Sequence, residues 1–221
     1  MQNYTFISKL TERHPDMVHL KPALVQSVAM LAECARSGGK IFTCGNGGSA
    51  ADAEHIVGEL MKGFLLPRRL RPEQAAAFES TAPGSGMQLA ANLQQAIPAV
   101  SLVSSVSLAT AFANDVSAEY IFAQQVFGLA KEGDVLWGLS TSGNAPNVLH
   151  AFRVARAFKI KTLGFTGRDG GKMAALCDVE IRAPHTETPA IQEMHLPLYH
   201  AVCADLEALL FSTAIVQAED L

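Results

Sequence analysis

The sequence predicts a single α/β domain in which a five-stranded parallel sheet is flanked by helices on both faces, a three-layer αβα arrangement. Three observations predict it. Short apolar runs, too brief for helices, alternate with longer segments of helical period. Glycine and polar residues punctuate each change. The 221 residues are 49% apolar and 17% charged, enough to bury one large core but not two full domains. Such alternation selects a parallel sheet, because each crossover lays a helix over one face.

In chain order, strands are expected at Lys40–Cys44, Pro98–Val103, Asp134–Leu139, Lys161–Phe165 and Val179–Arg182. Helical patterns fall at Pro22–Arg36, Ser49–Gly63, Ser107–Asn114, Ala118–Ala130, Pro146–Phe158 and Pro189–Leu210. The domain is taken as 1–221, with an N-terminal helical segment over about 1–37. One stretch, about 65–95, breaks the rhythm with Pro67, Pro72, Pro83 and Gly84-Ser85-Gly86. It far exceeds the roughly 2–6 residues of an ordinary αβ loop. It reads as an insertion with short helices near Glu73–Glu79 and Met87–Gln95, either a surface loop or an active-site lid or oligomer contact. Its arginines Arg68, Arg69 and Arg71 could meet an anionic substrate or form a solvated rim.

Composition removes several function classes. A net charge of -4 offers no basic footprint for nucleic acid and no polybasic membrane patch. The apolar stretches are interrupted well short of the about 18 residues a membrane span needs. Cys34, Cys44, Cys177 and Cys203 have no C-x-x-C spacing, and no basic-then-apolar leader opens the chain, so a cytoplasmic setting is expected.

Ligands of a parallel sheet bind beyond the carboxyl ends of its strands. After the first strand comes Gly45-Asn46-Gly47-Gly48-Ser49, opening directly into a helix. Its glycines let backbone N–H groups close on an anion, although an ordinary strand-to-helix turn would look similar. It is neither a dinucleotide fingerprint nor a nucleotide P-loop. After the third strand, Ser140-Thr141-Ser142-Gly143-Asn144 offers hydroxyls and backbone donors; helix capping explains one or two of them. Two such loops at one sheet edge favour a phosphate-bearing ligand.

His55 and Glu59 stand four residues apart and share a helix face, whether as an exposed polar pair or as a pair aimed at substrate or metal. On the last helix, Gln192 and His200 differ by about 80° in azimuth and about 12 Å along the axis. Pro197 between them could bend the helix, and a contribution from two subunits would also bring the groups together. His195 lies on another face and reads as structural.

Taken in order, Gly45-Asn46-Gly47-Gly48-Ser49 with His55 and Glu59, Asn114-Asp115, Ser140-Thr141-Ser142-Gly143-Asn144, and Ile191-Gln192-Glu193 with His200 resemble the phosphoheptose isomerases of the sugar isomerase (SIS) fold. The resemblance runs from about Pro22 to Leu210, interrupted by the insertion. It implies conversion of sedoheptulose 7-phosphate to D-glycero-D-manno-heptose 7-phosphate, a step toward nucleotide-activated heptose for lipopolysaccharide. It further implies a phosphate site at Ser140, Thr141 and Ser142, and a sugar site lined by Asn46, Gly47, Gly48, Ser49, Asn114, Asp115 and Gln192. Glu59 and His200 would be the acid–base pair. His55, Glu59, Gln192 and His200 would bind Zn2+, and the partner would be the chain itself in a homotetramer with active sites at subunit contacts. The alternatives within the fold are a non-catalytic phosphosugar-binding or replication-associated protein, or an isomerase of another sugar phosphate. The chain departs from the pattern at Ala145, where a serine is usual, and at Ala190, where a cation is usual.

Overall fold

The computed structural model describes residues 4–216. All five expected strands form: β1 (Ile41–Cys44), β2 (Ala99–Ser101), β3 (Val135–Ser140), β4 (Lys161–Thr166) and β5 (Val179–Arg182). Every neighbouring pair is parallel, in the order β2-β1-β3-β4-β5. The strand order therefore changes direction between β1 and β3, and the loops leaving those two strands diverge to leave a crevice.

Both central strands are buried along their whole length. Successive side chains of β3 serve opposite faces: Val135, Trp137 and Leu139 join one core, Leu136 the other. This two-sided burial is why the strands read as unbroken apolar runs. At the sheet edge the pattern alternates instead, with Val179 and Ile181 inward and Glu180 paired to Arg182 at 2.7 Å on the outer side.

The helices are α1 (Thr5–Arg13), α2 (Lys21–Arg36), α3 (Gly48–Met61), α4 (Pro72–Thr81), α5 (Gly86–Asn92), α6 (Val106–Phe112), α7 (Ile121–Leu129), α8 (Pro146–Ala157) and α9 (Thr188–Val216). One face of the sheet is covered by α1, α2, α3 and α9 through residues such as Ile7, Leu24, Val28, Ile56, Leu60, Leu198 and Val202. The other is covered by α7 and α8 through Phe122, Val126, Val148 and Phe152. Buried Asp205 on α9 accepts hydrogen bonds from the Phe6 and Ile7 amides at 3.1 and 2.8 Å, satisfying donors at the start of α1 and tying that helix to the body. α9 stays helical through Pro197.

Residues 65–95 leave the body through a closed neck. Gln95 N–H donates to the Arg68 carbonyl at 2.7 Å, and Gly63 N–H to Gln94 Oε1 at 2.6 Å. Beyond the neck, α4 and α5 pack on each other, and their only buried residue is Gly86. The three arginines part company here. Arg71 pairs with Glu73 at 3.0 Å in the open, and Arg69 is exposed. Arg68 is neither a rim residue nor open to a substrate: it is 1% exposed and ion-paired to Glu207 at 2.7 Å.

From α6 the chain passes through a π turn at Ala113–Ser117 and a 3₁₀ turn at Ala118–Tyr120 before α7. No residue from Val106 to Tyr120 is buried, and Val106, Val116 and Tyr120 are among the exposed apolar side chains.

Candidate active site

The crevice between β1 and β3 carries both glycine- and hydroxyl-rich loops. Gly47 adopts φ 57° and ψ −122°, a conformation that suits glycine, and so turns the chain sharply into α3. At Gly48 a Cβ would stand 2.5 Å from Gln192 Nε2, so the missing side chain is what lets Gln192 of α9 lie against the loop. In the second loop, Gly143 N–H closes a turn onto the Ser140 carbonyl at 2.9 Å, and Asn144 N–H reaches Ser142 Oγ at 3.2 Å. Ser140 is buried and Ser142 exposed. Ser142 and Asn144 are thus engaged in a local turn, with Lys172 N–H on Asn144 Oδ1 at 3.1 Å, and neither caps α8, whose N-cap is Ala145.

The loops are linked across the gap. Asn46 Nδ2 donates to Asn147 Oδ1 at 2.8 Å, and Asn147 Nδ2 donates to Asn46 Oδ1 at 2.9 Å. Sequence reasoning found Asn46 but not Asn147, because nothing in a linear pattern says that the first turn of one crossover helix meets the loop of another.

Glu59, His55 and His200 converge. His55 Nε2 lies 3.1 Å from Glu59 Oε1, and the rings of His55 and His200 are 5.0 Å apart, edge to face. The Phe64 ring covers His200 at 5.4 Å. Glu59 Oε2 and His200 Nε2 are buried atoms without a hydrogen-bond partner. Lys62 Nζ comes to 3.7 Å of Glu59 Oε2, an ion-pair distance too long for a hydrogen bond. Two unsatisfied polar atoms in one small space are costly unless a ligand completes them.

Behind His55 stands a chain that the sequence did not reveal. Tyr199 Oη is 2.9 Å from His55 Nδ1 and 3.3 Å from Asp52 Oδ1. The Tyr199 hydroxyl has one proton, which it donates to Asp52 Oδ1, so its oxygen is left to accept from His55 when Nδ1 carries a hydrogen. Asp52, His55 and Glu59 follow an i, i+3, i+7 helical spacing, the signal by which Asp52 was findable. Burial raises the Asp52 carboxyl, with Tyr199 and His55 opposing it. It also raises the Tyr199 phenol, helped by Asp52. His200 is lowered by burial first and by His55 second, with Glu59 pulling the other way. An imidazole held neutral beside a carboxylate is suited to exchange a proton.

Other expected residues are placed differently. Asn114 and Asp115 sit exposed on the π turn, where Asn114 Nδ2 donates to Asp115 Oδ1 at 2.8 Å. His195 is fully buried, with Nε2 3.1 Å from the Thr166 carbonyl. Among the described residues, no three His, Cys, Asp or Glu side chains stand as a ready metal cluster.

Comparison with known proteins identifies the family. Family models described as SIS domain match residues 5–99 and 95–211. A phosphoheptose isomerase of Desulfovibrio desulfuricans is 40% identical over 195 residues, covering 88% of this chain and 80% of the relative. One from Burkholderia pseudomallei is 44% identical over 174 residues, covering 79% and 75%. The solved phosphoheptose isomerase of Neisseria gonorrhoeae superposes with a TM-score of 0.68 at 33% identity, covering 90% of this chain and 93% of that one. That of Francisella tularensis gives 0.70 at 26%, covering 92% and 95%. The chain belongs to the phosphoheptose isomerase family and carries its SIS fold.

Proposed function

We infer that this chain isomerises sedoheptulose 7-phosphate to D-glycero-D-manno-heptose 7-phosphate. The observation that carries this is the meeting of Glu59 and His200, brought together beside His55 from α3 and α9, in a chain that also carries two anion-suited loops after β1 and β3. Aldose–ketose exchange moves a proton between adjacent carbons through an enediol. It needs a base at carbon, an acid at oxygen, and a grip on the phosphate.

Glu59 is assigned as the carbon base: its Oε2 accepts no hydrogen bond, with Lys62 Nζ 3.7 Å away, and takes the proton. His200 is its acid–base partner, and its unpaired Nε2 exchanges a proton with the carbonyl or hydroxyl oxygen. Ser140, Thr141 and Ser142 hold the phosphate through their hydroxyls and the backbone donors of that loop. Asn46, Gly47, Gly48, Ser49 and Gln192 line the sugar. Asn114 and Asp115 complete it from the exposed segment before α7, which supports a homotetramer whose subunit contacts cover Val106–Tyr120.

Glu59 Oε2 and His200 Nε2, neither hydrogen-bonded, also fit a divalent cation, Zn2+ in particular, with His55 beside them and Gln192, which lies against Gly48, as a ligand contributed across a subunit contact. A bound ion would supply Lewis-acid polarisation of the carbonyl. The Asp52–Tyr199–His55 chain suits that state too, since Tyr199 can accept from Nδ1–H when Nε2 is a ligand. Among the described residues no helix is long and apolar enough to cross a membrane, in keeping with a cytoplasmic enzyme of heptose and lipopolysaccharide synthesis.

The test is turnover of sedoheptulose 7-phosphate by purified protein, before and after chelation, with metal content measured in parallel. Turnover that falls on chelation and returns with Zn2+ supports both assignments. A protein stabilised by the sugar phosphate yet unable to convert it would be a binding module instead.

A further inference from the structure

Glu59 and His200 lie on different helices, so their mutual placement depends on what locks α3 to α9. The main-chain carbonyls at the end of α3 are orphans of the helix and need donors. Arg68 supplies two of them: Nη2 donates to the carbonyl of Glu59 at 3.0 Å, and Nη1 to that of Leu60 at 2.6 Å, a carbonyl that also accepts from Ile97 N–H at 2.9 Å. Its Nε donates to Glu207 Oε1 at 2.7 Å, and the Phe211 ring lies 4.9 Å from the guanidinium carbon.

Glu207 is the counterpart on α9. Its Oε1 also accepts from Phe64 N–H at 2.8 Å, and its Oε2 from Leu65 and Leu66 N–H at 2.7 and 3.0 Å. The carboxylate is fully buried and so is the guanidinium. A buried pair is tolerated when its hydrogen bonds are met, and removing one member leaves the other charge stranded. Seven residues separate His200 from Glu207, two turns that bring both to nearly the same face of α9.

We propose that the Arg68–Glu207 ion pair is a positioning element for the isomerisation, fixing the Glu59 backbone and the Phe64 ring against His200 through one buried link between α3 and α9. It rests on the isomerase assignment above. Arg68 and Glu207 touch no reacting atom. They act through the groups they hold: the carbonyl of the base residue, and the loop whose phenyl ring packs on the acid–base histidine. Hydrophobic burial alone would join the helices but would let α3 slide by fractions of an ångström. A fork of three charged donors, each on a different oxygen, does not.

The deciding variant is Arg68→Met combined with Glu207→Gln, which removes both charges, keeps volume, and leaves an amide oxygen for the Phe64–Leu66 amides. The expected result is a kcat at least tenfold below wild type with KM within about threefold, the split produced when transition-state alignment is lost but binding is kept. Arg68→Lys is the milder companion: one ammonium cannot span both carbonyls and Glu207, so the same split is expected at smaller size. Val28→Ala, a core cavity away from the site, serves as the stability control and should lower the melting temperature while leaving kcat unchanged. Wild-type kcat in a folded double variant overturns the proposal. If that variant does not fold, wild-type kcat in Arg68→Lys overturns it. So does an equal kcat loss in Val28→Ala, which would trace the effect to general loosening. Absence of turnover in the wild-type protein would remove the isomerase assignment itself. Active wild type, inactive Glu59→Gln and unimpaired Arg68 variants would remove only the positioning role.

Discussion

Asn46 and Asn147 exchange two amide hydrogen bonds, 2.8 and 2.9 Å, across the mouth of the crevice between β1 and β3. The pair ties the glycine loop to the first turn of α8, so the loops proposed to hold the sugar and the phosphate are set relative to one another before substrate arrives. Asn147 Oδ1 also accepts from Val148 N–H at 3.0 Å, which fixes the amide's orientation. Asn147→Ala should therefore raise KM with little change in kcat. Losing two neutral, partly exposed bonds is worth about 1 kcal/mol, roughly a fivefold fall in kcat/KM. Steady-state kinetics on the single variant checks this; an unaltered KM would make the pair ornamental to binding.

Glu59→Gln preserves the shape of the side chain and its contact with His55 but removes the proposed base. Turnover should fall by about 10²–10⁴-fold, the usual contribution of a positioned acid or base, while the protein stays folded. Near-normal turnover in this variant would exclude Glu59 as the carbon base, and metal content measured on the same sample shows whether the cation is lost with it.

Excision of residues 70–93, with a short glycine-containing bridge from Arg69 to Gln94, should leave a folded protein. The neck is already closed by Gln95 N–H on the Arg68 carbonyl and Gly63 N–H on Gln94 Oε1, and the helices beyond it bury almost nothing in the body. Circular dichroism and the fluorescence of the single, buried Trp137 report the outcome. A collapse of either signal would show that α4 and α5 support the core.

His195 predicts an acid limb of instability. Burial pushes its imidazole down to about 4, with the Thr166 hydrogen bond opposing in part. The folded state thus keeps the ring neutral where the unfolded chain, titrating near its ordinary value of about 6.5, takes up a proton. Stability is full above about pH 6.5 and falls as the pH drops toward about 4, by up to about 3 kcal/mol from this group. His195→Gln retains a donor for the Thr166 carbonyl and should flatten that limb in urea unfolding between pH 7 and 4.5. An unchanged slope would place the acid sensitivity elsewhere.

Much of this protein was legible in its sequence. The five strands, the two anion-suited loops and the helical pairing of His55 with Glu59 all follow from local rules: apolar run length, glycine at turns, and 3.6-residue periodicity. The sequence also told where the chain leaves the alternating pattern, at about 65–95, because proline and glycine are local signals. It could not tell that Arg68 turns inward to Glu207, 139 positions away. By composition, Arg68 is indistinguishable from Arg69 and Arg71 beside it, and only the partner in space decides its burial.

The same division holds for the site. Sequence determined which chemical groups are present and on which elements they ride, since helix periodicity and strand-end loops are properties of neighbouring residues. Tertiary structure alone decided that Tyr199 and Asp52 stand behind His55, that Asn147 meets Asn46, and that α9 brings His200 beside a carboxylate on α3. Those contacts span between 101 and 147 positions where hydrogen bonds make them, and no local rule reaches that far: the sheet order β2-β1-β3-β4-β5 brings the loops after β1 and β3 together, and α3 and α9 pack on each other over one face of the sheet.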